Sequence, residues 1–175
     1  MSYIQDGMII GLGTGSTAAF AVLALAQRIQ AEGLRLRCLP TSVASAELAR
    51  SHGIPLTDWE AVRRFDLTID GADEIDPQFR LIKGGGGALV REKLAAVVSD
   101  IEIIVVDDSK VKAALGAFPL PVAVVPFAWQ ATRARIAERF GCPITPRRTS
   151  DGELFVSDDG LHVLDLSFGA PLPSI

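Results

Sequence analysis

The stretch "DLTIDGADEID", residues 66–76, decides the fold because a strand pattern runs directly into a group of acids. Apolar and polar side chains alternate over residues 65–70, which is the period-two pattern of a β-strand. The acids Asp70, Asp73 and Glu74 follow at the point where this strand ends. In open α/β sheets the carboxyl ends of the strands face the ligand crevice, so we expect Asp70 to lie at a binding site.

Strand and helix patterns alternate on both sides of this stretch. Short apolar runs predict strands, and longer periodic segments predict helices. The predicted elements are a strand at residues 8–12, a helix at 17–30, a strand at 34–42, a helix from Ser45 as N-cap to Gly53 as C-terminal stop, strands at 65–70 and 80–83, a helix at 88–99 and a strand at 101–108. This alternation predicts an α/β fold with an open, mostly parallel sheet flanked by helices.

The composition changes at "GAFPLPVAVVP", residues 116–126, where three prolines bracket a short β-rich run. We therefore expect a domain boundary near Phe118, with a main domain over residues 1–117 and a smaller α+β domain over residues 118–175. The smaller domain would contain one amphipathic helix and a hairpin. The predicted hairpin turn is at Asp158, Asp159 and Gly160.

Composition and charge limit the class of partner. The chain has 175 residues, 49% of them apolar and 22% charged, with a net charge of -4 and no basic run, so we expect no nucleic-acid partner. It lacks a secretion signal and an apolar run long enough to span a bilayer, which predicts a cytoplasmic protein without membrane contact. Cys38 and Cys142 lie far apart without a neighbouring histidine, so we predict no zinc site.

A first glycine loop, "GLGTGSTA" at residues 11–18, follows a strand and opens a helix. Backbone N–H groups at a helix start bind phosphate well. Residues 13–18 also fit the dinucleotide spacing GxGxxA, but that fingerprint wants an acid at the end of the second strand. Hydroxyls stand at these two strand ends instead, and hydroxyl donors suit a terminal phosphate: Thr14, Ser16, Thr17, Thr41 and Ser42. The alternative is that the glycines only make a tight turn.

Asp73 would share the space of Asp70 if Gly71 and Ala72 make a tight turn. Two carboxylates held close together can keep a proton available for transfer. The alternative for Asp73 is a loop or helix cap, which is a common use of aspartate.

A second glycine run follows Lys83 and leads into a helix. Four successive glycines cost conformational entropy, and the usual reason for them is close approach of the backbone to a ligand. Lys83 would then place a positive charge beside an oxyanion.

Glu92 lies on the helix that follows. Its neighbours three and four positions away are all apolar, so Glu92 projects from an apolar face: Ala88, Leu89, Ala95 and Ala96. A carboxylate there loses contact with water, as a general base working near neutrality requires. The alternative is a surface glutamate on an alanine-rich helix.

Five motifs in fixed order, "GTGST", "DGADEID", "LIKGGGGALVREK", "DDSK" and "FPLPV", resemble the type A family of ribose-5-phosphate isomerases. The resemblance covers residues 7 to about 165. It implies a Rossmann-like main domain with a smaller α+β lid. It also implies an aldose–ketose isomerase that interconverts ribose 5-phosphate and ribulose 5-phosphate, with a sugar phosphate as its small-molecule partner and no metal or organic cofactor.

The resemblance also implies site residues. Glu92 matches the family's proton acceptor, Lys83 and the glycines after it match its KGGG motif, and Asp70 and Asp73 match its DGAD motif. We therefore predict Glu92, Lys83, Asp70 and Asp73 as catalytic. The predicted substrate-binding residues are Thr14, Gly15, Ser16, Thr17, Thr41, Ser42, Gly71, Ala72, Gly84, Gly85, Gly86 and Lys110.

The chain departs from the family pattern at both ends. Members usually begin with a helix before the first strand and return to the main domain after the lid, and we expect this chain to lack both segments. The missing return segment would expose apolar edge surface, so we expect a homodimer or a higher homo-oligomer. Two other functions stay open: a non-catalytic sugar-phosphate sensor domain and a nicotinamide oxidoreductase.

Overall fold

The computed structural model describes residues 3–172. The strands are β1 (Ile9–Leu12), β2 (Arg37–Pro40), β3 (Leu67–Asp70), β4 (Glu74–Ile75), β5 (Leu81–Ile82), β6 (Glu102–Ile104), β7 (Leu120–Val124), β8 (Ile144–Pro146) and β9 (His162–Leu166). The helices are α1 (Ser16–Glu32), α2 (Val43–Ser51), α3 (Leu89–Val97) and α4 (Trp129–Phe140). Short 3₁₀ turns cover Trp59–Ala61 and Asp108–Lys110.

The chain divides into two compact units. The first unit runs up to Gly71 and resumes over Arg91–Val106, and the second comprises Ala72–Val90 and the chain from Asp107 onward. The domain boundary predicted near Phe118 stays a prediction. The two compact units do not divide there: their divisions fall after Gly71, Val90 and Val106. Residues 107–117 group with the second unit, where Glu74 accepts hydrogen bonds from the backbone N–H groups of Gly116 and Phe118.

The first unit has a four-stranded parallel sheet in the order β2-β1-β3-β6. Its two faces carry separate hydrophobic clusters. One cluster joins β1, β3, α1 and α2 through residues such as Ile10, Leu67, Val22 and Ala49. The other packs Ala95 of α3 with Leu39, Val62 and Phe65. Helices therefore cover both faces, which confirms the predicted α/β fold with a parallel sheet.

The strand order reverses between β1 and β3, which lie side by side in parallel register. Close packing there requires glycine in β1 and just after it. A Cβ built on Gly11 would lie 2.1 Å from Thr68 Oγ1, and one on Gly13 would lie 2.5 Å from the Cα atom of Asp70. In an open α/β sheet this reversal marks the position of the ligand crevice.

The second unit is built from antiparallel strands. Strand β4 pairs with β5, and β7, β9 and β8 form a three-stranded sheet in that order. Helix α4 packs on this sheet through Trp129, Ile136 and Ala137, against a core of buried aliphatic residues. The core residues are Val124, Ile144, Leu164 and Leu166.

Most predicted elements are confirmed, with local corrections. The N-cap of α2 is Ser42, whose side chain accepts a hydrogen bond from Ser45 N at 3.0 Å, so the prediction of Ser45 as the cap is wrong. The hairpin turn at residues 158–160 is confirmed by a hydrogen bond from Ser157 N to Leu161 O. Strands β4 and β8 are additional elements. Across residues 3–172 no helix has the length and apolar character needed to span a membrane.

Glu74 gives a direct test of how the second unit is held together. Its side chain is 1% exposed, and its two oxygens each accept a 2.7 Å hydrogen bond, from Gly116 N and Phe118 N. In Glu74→Gln the amide nitrogen cannot accept, so one buried N–H group loses its partner. We expect the free energy of unfolding to fall by about 2–3 kcal/mol in urea denaturation.

The matched control is Glu47→Gln, because Glu47 lies exposed on α2. We expect it to change the free energy of unfolding by less than about 0.5 kcal/mol. Equal stability of the two variants would contradict the assigned role of Glu74.

Candidate active site

The loop between β1 and α1 is fixed by its backbone. Gly15 is the N-cap of α1 with φ 110°, a conformation that favours glycine, and its cap position makes no side-chain hydrogen bond. Ser16 and Gly15 are exposed, whereas Thr17 is half-buried. The first N–H groups of α1 therefore start at an accessible surface, as a phosphate-binding loop requires.

The hydroxyls predicted to bind phosphate divide into two groups. Thr14 and Thr41 share a hydrogen bond of 2.8 Å between their Oγ1 atoms, and Thr41 Oγ1 also donates to Leu12 O. Ser42 Oγ donates to Ser45 Oγ, and Ser45 Oγ donates to Gly13 O at 2.7 Å. Thr41 and Ser42 are buried, so this hydrogen-bond network supports the loop between β1 and α1 from the protein interior. The hydroxyls open to solvent are those at the helix start.

Ser45, which was predicted as the N-cap of α2, lies beside the predicted phosphate-binding loop. It lies in the first turn of α2, and its hydroxyl links Ser42 to Gly13 in the loop between β1 and α1. A cavity of about 300 Å³ adjoins the same loop. Its lining residues are Gly13, Thr14, Gly15, Ser16, Ala19, Val22, Ala44, Ser45 and Leu48.

Asp70 ends β3 and is fully buried. Its Oδ1 atom accepts hydrogen bonds from Thr14 N at 3.1 Å and from Gly71 N at 2.8 Å. The structure thus brings Asp70 to the loop between β1 and α1, as expected from its place at the end of a parallel strand. Its carboxylate joins two strand ends by accepting backbone N–H groups.

Glu92 is the fourth residue of α3 and is 4% exposed. The predicted burial of its carboxyl is confirmed, and the alternative of a surface glutamate is wrong. Ala95, one turn further along the helix, is fully buried. The apolar spacing around Glu92 therefore correctly identified the face of α3 that is directed inward.

The second glycine run, which we call the glycine loop from here on, comprises residues 84–87. Gly84 and Gly87 have φ values of 96° and 84°, and Gly87 N donates to Gly84 O to close a turn. A Cβ on Gly85 would lie 2.2 Å from Asp73 Oδ1, and one on Gly87 would lie 2.4 Å from Phe155 Cζ. Glycine is therefore required at positions 85 and 87 by the packing of Asp73 and Phe155, without any ligand.

Asp73 lies next to this loop in the second unit. Its Oδ2 atom accepts a hydrogen bond from Gly85 N at 2.7 Å, so the carboxylate holds the loop backbone. Lys83, which is half-buried, directly precedes Gly84. Ala72, also half-buried, directly precedes Asp73.

Lys110 and Asp73 line one cavity of about 220 Å³. The other lining residues are Glu74, Ser109, Lys112, Ala117 and Phe118. Lys110 is the last residue of a 3₁₀ turn that Asp107 caps by accepting a hydrogen bond from Ser109 N. Two lysines and two carboxylates line this cavity, so the formal charges of its lining balance.

The predicted residues divide between the two units. In the first unit these are Thr14, Gly15, Ser16, Thr17, Thr41, Ser42, Asp70 and Gly71, with Glu92 on α3. In the second unit they are Ala72, Asp73, Lys83, Gly84, Gly85, Gly86 and Lys110. Glu74, grouped with the site acids by its position in the sequence, instead accepts two backbone N–H groups inside the second unit.

Cysteine and metal chemistry receive no support from the described part of the chain. Burial raises the pKa of the Cys38 thiol to about 12, so it stays protonated near neutrality. Residues 3–172 contain no group of three or more His, Cys, Asp or Glu side chains that could hold a metal ion. The prediction that no metal or organic cofactor is needed stays a prediction.

Comparison with known proteins identifies relatives over nearly the whole chain. The sequence model described as "Ribose 5-phosphate isomerase A (phosphoriboisomerase A)" matches residues 37–174. A protein named ribose-5-phosphate isomerase A from Cereibacter sphaeroides is 51% identical over 172 residues, which cover 95% of this chain and 68% of the relative.

Solved structures give the same result. Ribose 5-phosphate isomerase from Plasmodium falciparum superposes with a TM-score of 0.93 at 38% identity, covering 98% of this chain and 75% of that one. A D-ribose-5-phosphate isomerase solved in complex with phospho-erythronic acid has a TM-score of 0.89 at 34% identity, covering 94% and 73%. This chain belongs to the ribose 5-phosphate isomerase A family.

Proposed function

We propose that this chain interconverts D-ribose 5-phosphate and D-ribulose 5-phosphate through an enediolate. Its membership of the family supports this reading over a non-catalytic sensor domain. The single observation that carries the mechanism is the buried carboxyl of Glu92, held in the first turn of α3. A sensor that only binds its effector has no use for a sequestered base.

Glu92 is the proton-transferring group. It removes the proton from C2 of the open-chain aldose and returns it to C1, while the O2 hydroxyl proton passes to O1. This leaves a ketone at C2 and a hydroxyl at C1, so atoms and charge balance. Burial suits the task because a carboxylate shielded from water is a better base toward a carbon acid.

Lys83 and the backbone N–H group of Gly86 in the glycine loop stabilise the enediolate oxygen. Negative charge develops on that oxygen only as the proton leaves carbon, so donors fixed there favour the transition state over the substrate. The loop is suited to this because Asp73 and its own turn hydrogen bond hold its backbone. Each well-placed donor contributes about 3 kcal/mol by analogy with oxyanion holes.

Asp70 and Asp73 are proposed to bind sugar hydroxyls and to assist opening of the furanose ring. In the structure one oxygen of each accepts backbone N–H groups: Asp70 Oδ1 from Thr14 and Gly71, and Asp73 Oδ2 from Gly85. Each carboxylate therefore has a structural task, and the catalytic task is proposed in addition to it.

The phosphate is proposed to bind at the start of α1, where Ser16 and Thr17 and the first helical N–H groups meet solvent. Thr14, Thr41 and Ser42 would support this loop through their hydroxyl network. Lys110 is proposed to contact the substrate as a positive charge at its cavity. A nicotinamide oxidoreductase is disfavoured because Thr41 and Ser42, and no carboxylate, follow β2.

Location in the cytoplasm and self-association are further proposals. Large apolar side chains are exposed on α3 and just after it, where Leu94, Val97 and Ile101 are between 48% and 69% exposed. Exposed large apolar side chains are enriched at interfaces, so we propose a homodimer or a higher homo-oligomer.

The catalytic role of Glu92 is tested by Glu92→Gln, which keeps the shape of the side chain and removes its basicity. We expect ribulose 5-phosphate formation from ribose 5-phosphate to fall by at least about 100-fold in kcat, the usual scale for a general base. Turnover is followed in a stopped assay for ketose, with a thermal melt to verify folding.

The control is Glu138→Gln, because Glu138 lies exposed on α4. It should leave kcat within about twofold, as expected for a surface change away from the chemistry. If Glu92→Gln turned over at the rate of the unchanged chain, Glu92 would have no part in the mechanism.

Self-association is tested by light scattering over a range of protein concentrations. We expect a mass of at least twice 18.6 kDa. Replacing exposed Leu94 and Val97 by serine should shift the mass toward that of one chain, since less apolar area would be buried. A monodisperse monomer at all concentrations would contradict the proposal.

A further inference from the structure

Arg147, a residue of the second unit, forms hydrogen bonds to the glycine loop from one side. Arg147 Nη1 donates to Gly84 O at 2.8 Å and to Gly85 O at 2.9 Å. The guanidinium is itself fixed, because Nε and Nη2 donate to the two carboxylate oxygens of Asp165 at 3.0 and 2.5 Å. The Arg147 side chain is only 14% exposed, so these contacts are shielded from competing water.

Asp73 holds the same peptide from the other side. In a planar trans peptide the C=O and N–H groups point in opposite directions. The peptide between Gly84 and Gly85 gives its C=O to Arg147 and its N–H to Asp73 Oδ2, at 2.7 Å. Its plane is therefore fixed by a positive group on one side and a negative group on the other.

The next peptide follows from the same geometry. The C=O of Gly85 also accepts from Arg147, so the N–H of Gly86 in that peptide is turned away from the guanidinium. Gly86 is exposed. Arg147 thus directs the Gly86 N–H outward from the loop, three residues after Lys83.

Phe155 completes the support. The Arg147 guanidinium carbon lies 5.9 Å from the centre of the Phe155 ring, and the ring packs where a Cβ on Gly87 would stand. A cation held over a ring face is attracted by its electrons. The loop is therefore held at Gly84, Gly85 and Gly87 by side chains distant in sequence.

We propose that Arg147 is a positioning residue of this enzyme, one that orients the glycine loop so that the Gly86 N–H and Lys83 meet the enediolate oxygen. This inference rests on the proposed function. Arg147 acts through the loop and needs no contact with the substrate. Its loss lowers kcat more than it raises KM, because the oxyanion exists only after the proton has left carbon.

Arginine is required for this task, and lysine is a poor replacement. A planar guanidinium offers several N–H donors in a rigid fork, which here reach two carbonyls and one carboxylate together. A lysine ammonium is a compact charge that cannot span both sets of acceptors. The neighbouring Arg148 is a matched control, since it is exposed and donates to Gly152 O within its own turn.

The test compares Arg147→Gln, Arg147→Lys and Arg148→Gln by kinetics and by hydrogen exchange of the backbone amides of residues 84–88. For both Arg147 variants we expect kcat to fall about tenfold or more, with KM for ribose 5-phosphate within about threefold, since loss of one oxyanion donor alone costs 100-fold or more. Amide exchange in the loop should rise about tenfold or more as its hydrogen bonds open. Arg148→Gln should leave all three quantities within about twofold.

Phospho-erythronic acid provides a further readout. Its carboxylate, like the enediolate, has a trigonal carbon with negative charge on oxygen, so both need the same donors. Its inhibition constant should rise in parallel with the loss of kcat in the Arg147 variants. A purely structural role would lower the melting temperature while leaving kcat per folded molecule and this inhibition constant unchanged, and that result would overturn the proposal.

If Arg147→Gln fails to fold because Asp165 loses its charge partner, the double variant Arg147→Gln/Asp165→Asn removes both charges together and takes its place. Absence of turnover in the unchanged chain would refute the proposed function alone. The exchange comparison would then still decide whether Arg147 holds the loop, and unchanged exchange in every Arg147 variant would refute that claim.

Discussion

The structure depends on carboxylates that accept backbone N–H groups. Every acid in residues 66–76 does so. The pairs are Asp66 with Ile9 N, Asp70 with Thr14 N and Gly71 N, Asp73 with Gly85 N, Glu74 with Gly116 N and Phe118 N, and Asp76 with Gln78 N and Arg80 N. Hydrogen bonds to a charged acceptor contribute about 1.5–3 kcal/mol each, more than neutral ones. One short stretch therefore anchors loops from many parts of the chain.

This constraint connects the fold to the chemistry. Loops that must present N–H donors to an anionic intermediate are costly to hold still, because glycine-rich backbone has much conformational freedom to lose. Asp70 fixes the loop before α1, and Asp73 fixes the glycine loop beside Lys83. Such preorganisation is what electrostatic stabilisation of a transition state requires. In the proposed mechanism the proton transfer falls to Glu92, which is buried on α3.

Local patterns predicted what depends on local sequence. The alternation in residues 65–70 placed Asp70 at a strand end, and the apolar spacing around Glu92 predicted its burial. Strand β4 has two residues and β8 has three, which is too short for a periodic pattern. Long-range contacts had no local signal: Phe118 N reaches Glu74 across 44 residues, and Arg147 reaches Gly84 across 63. The N-cap of α2 is Ser42, although Ser45 was predicted. Both serines suit an N-cap, and only the course of the backbone decides between them.

The central claim is that a carbon-bound proton leaves the substrate for a protein carboxylate and returns to the adjacent carbon through an enediolate. Conversion of ribose 5-phosphate in D₂O, followed by NMR of the C1 position of the ribulose 5-phosphate formed, tests it most directly. A proton held by Glu92 can exchange with solvent before it returns, so we expect deuterium at C1 in at least part of the product. If no deuterium had entered C1 of the ketose or C2 of the aldose after many cycles of forward and reverse reaction, the hydrogen would move by a direct hydride shift, which would contradict the account.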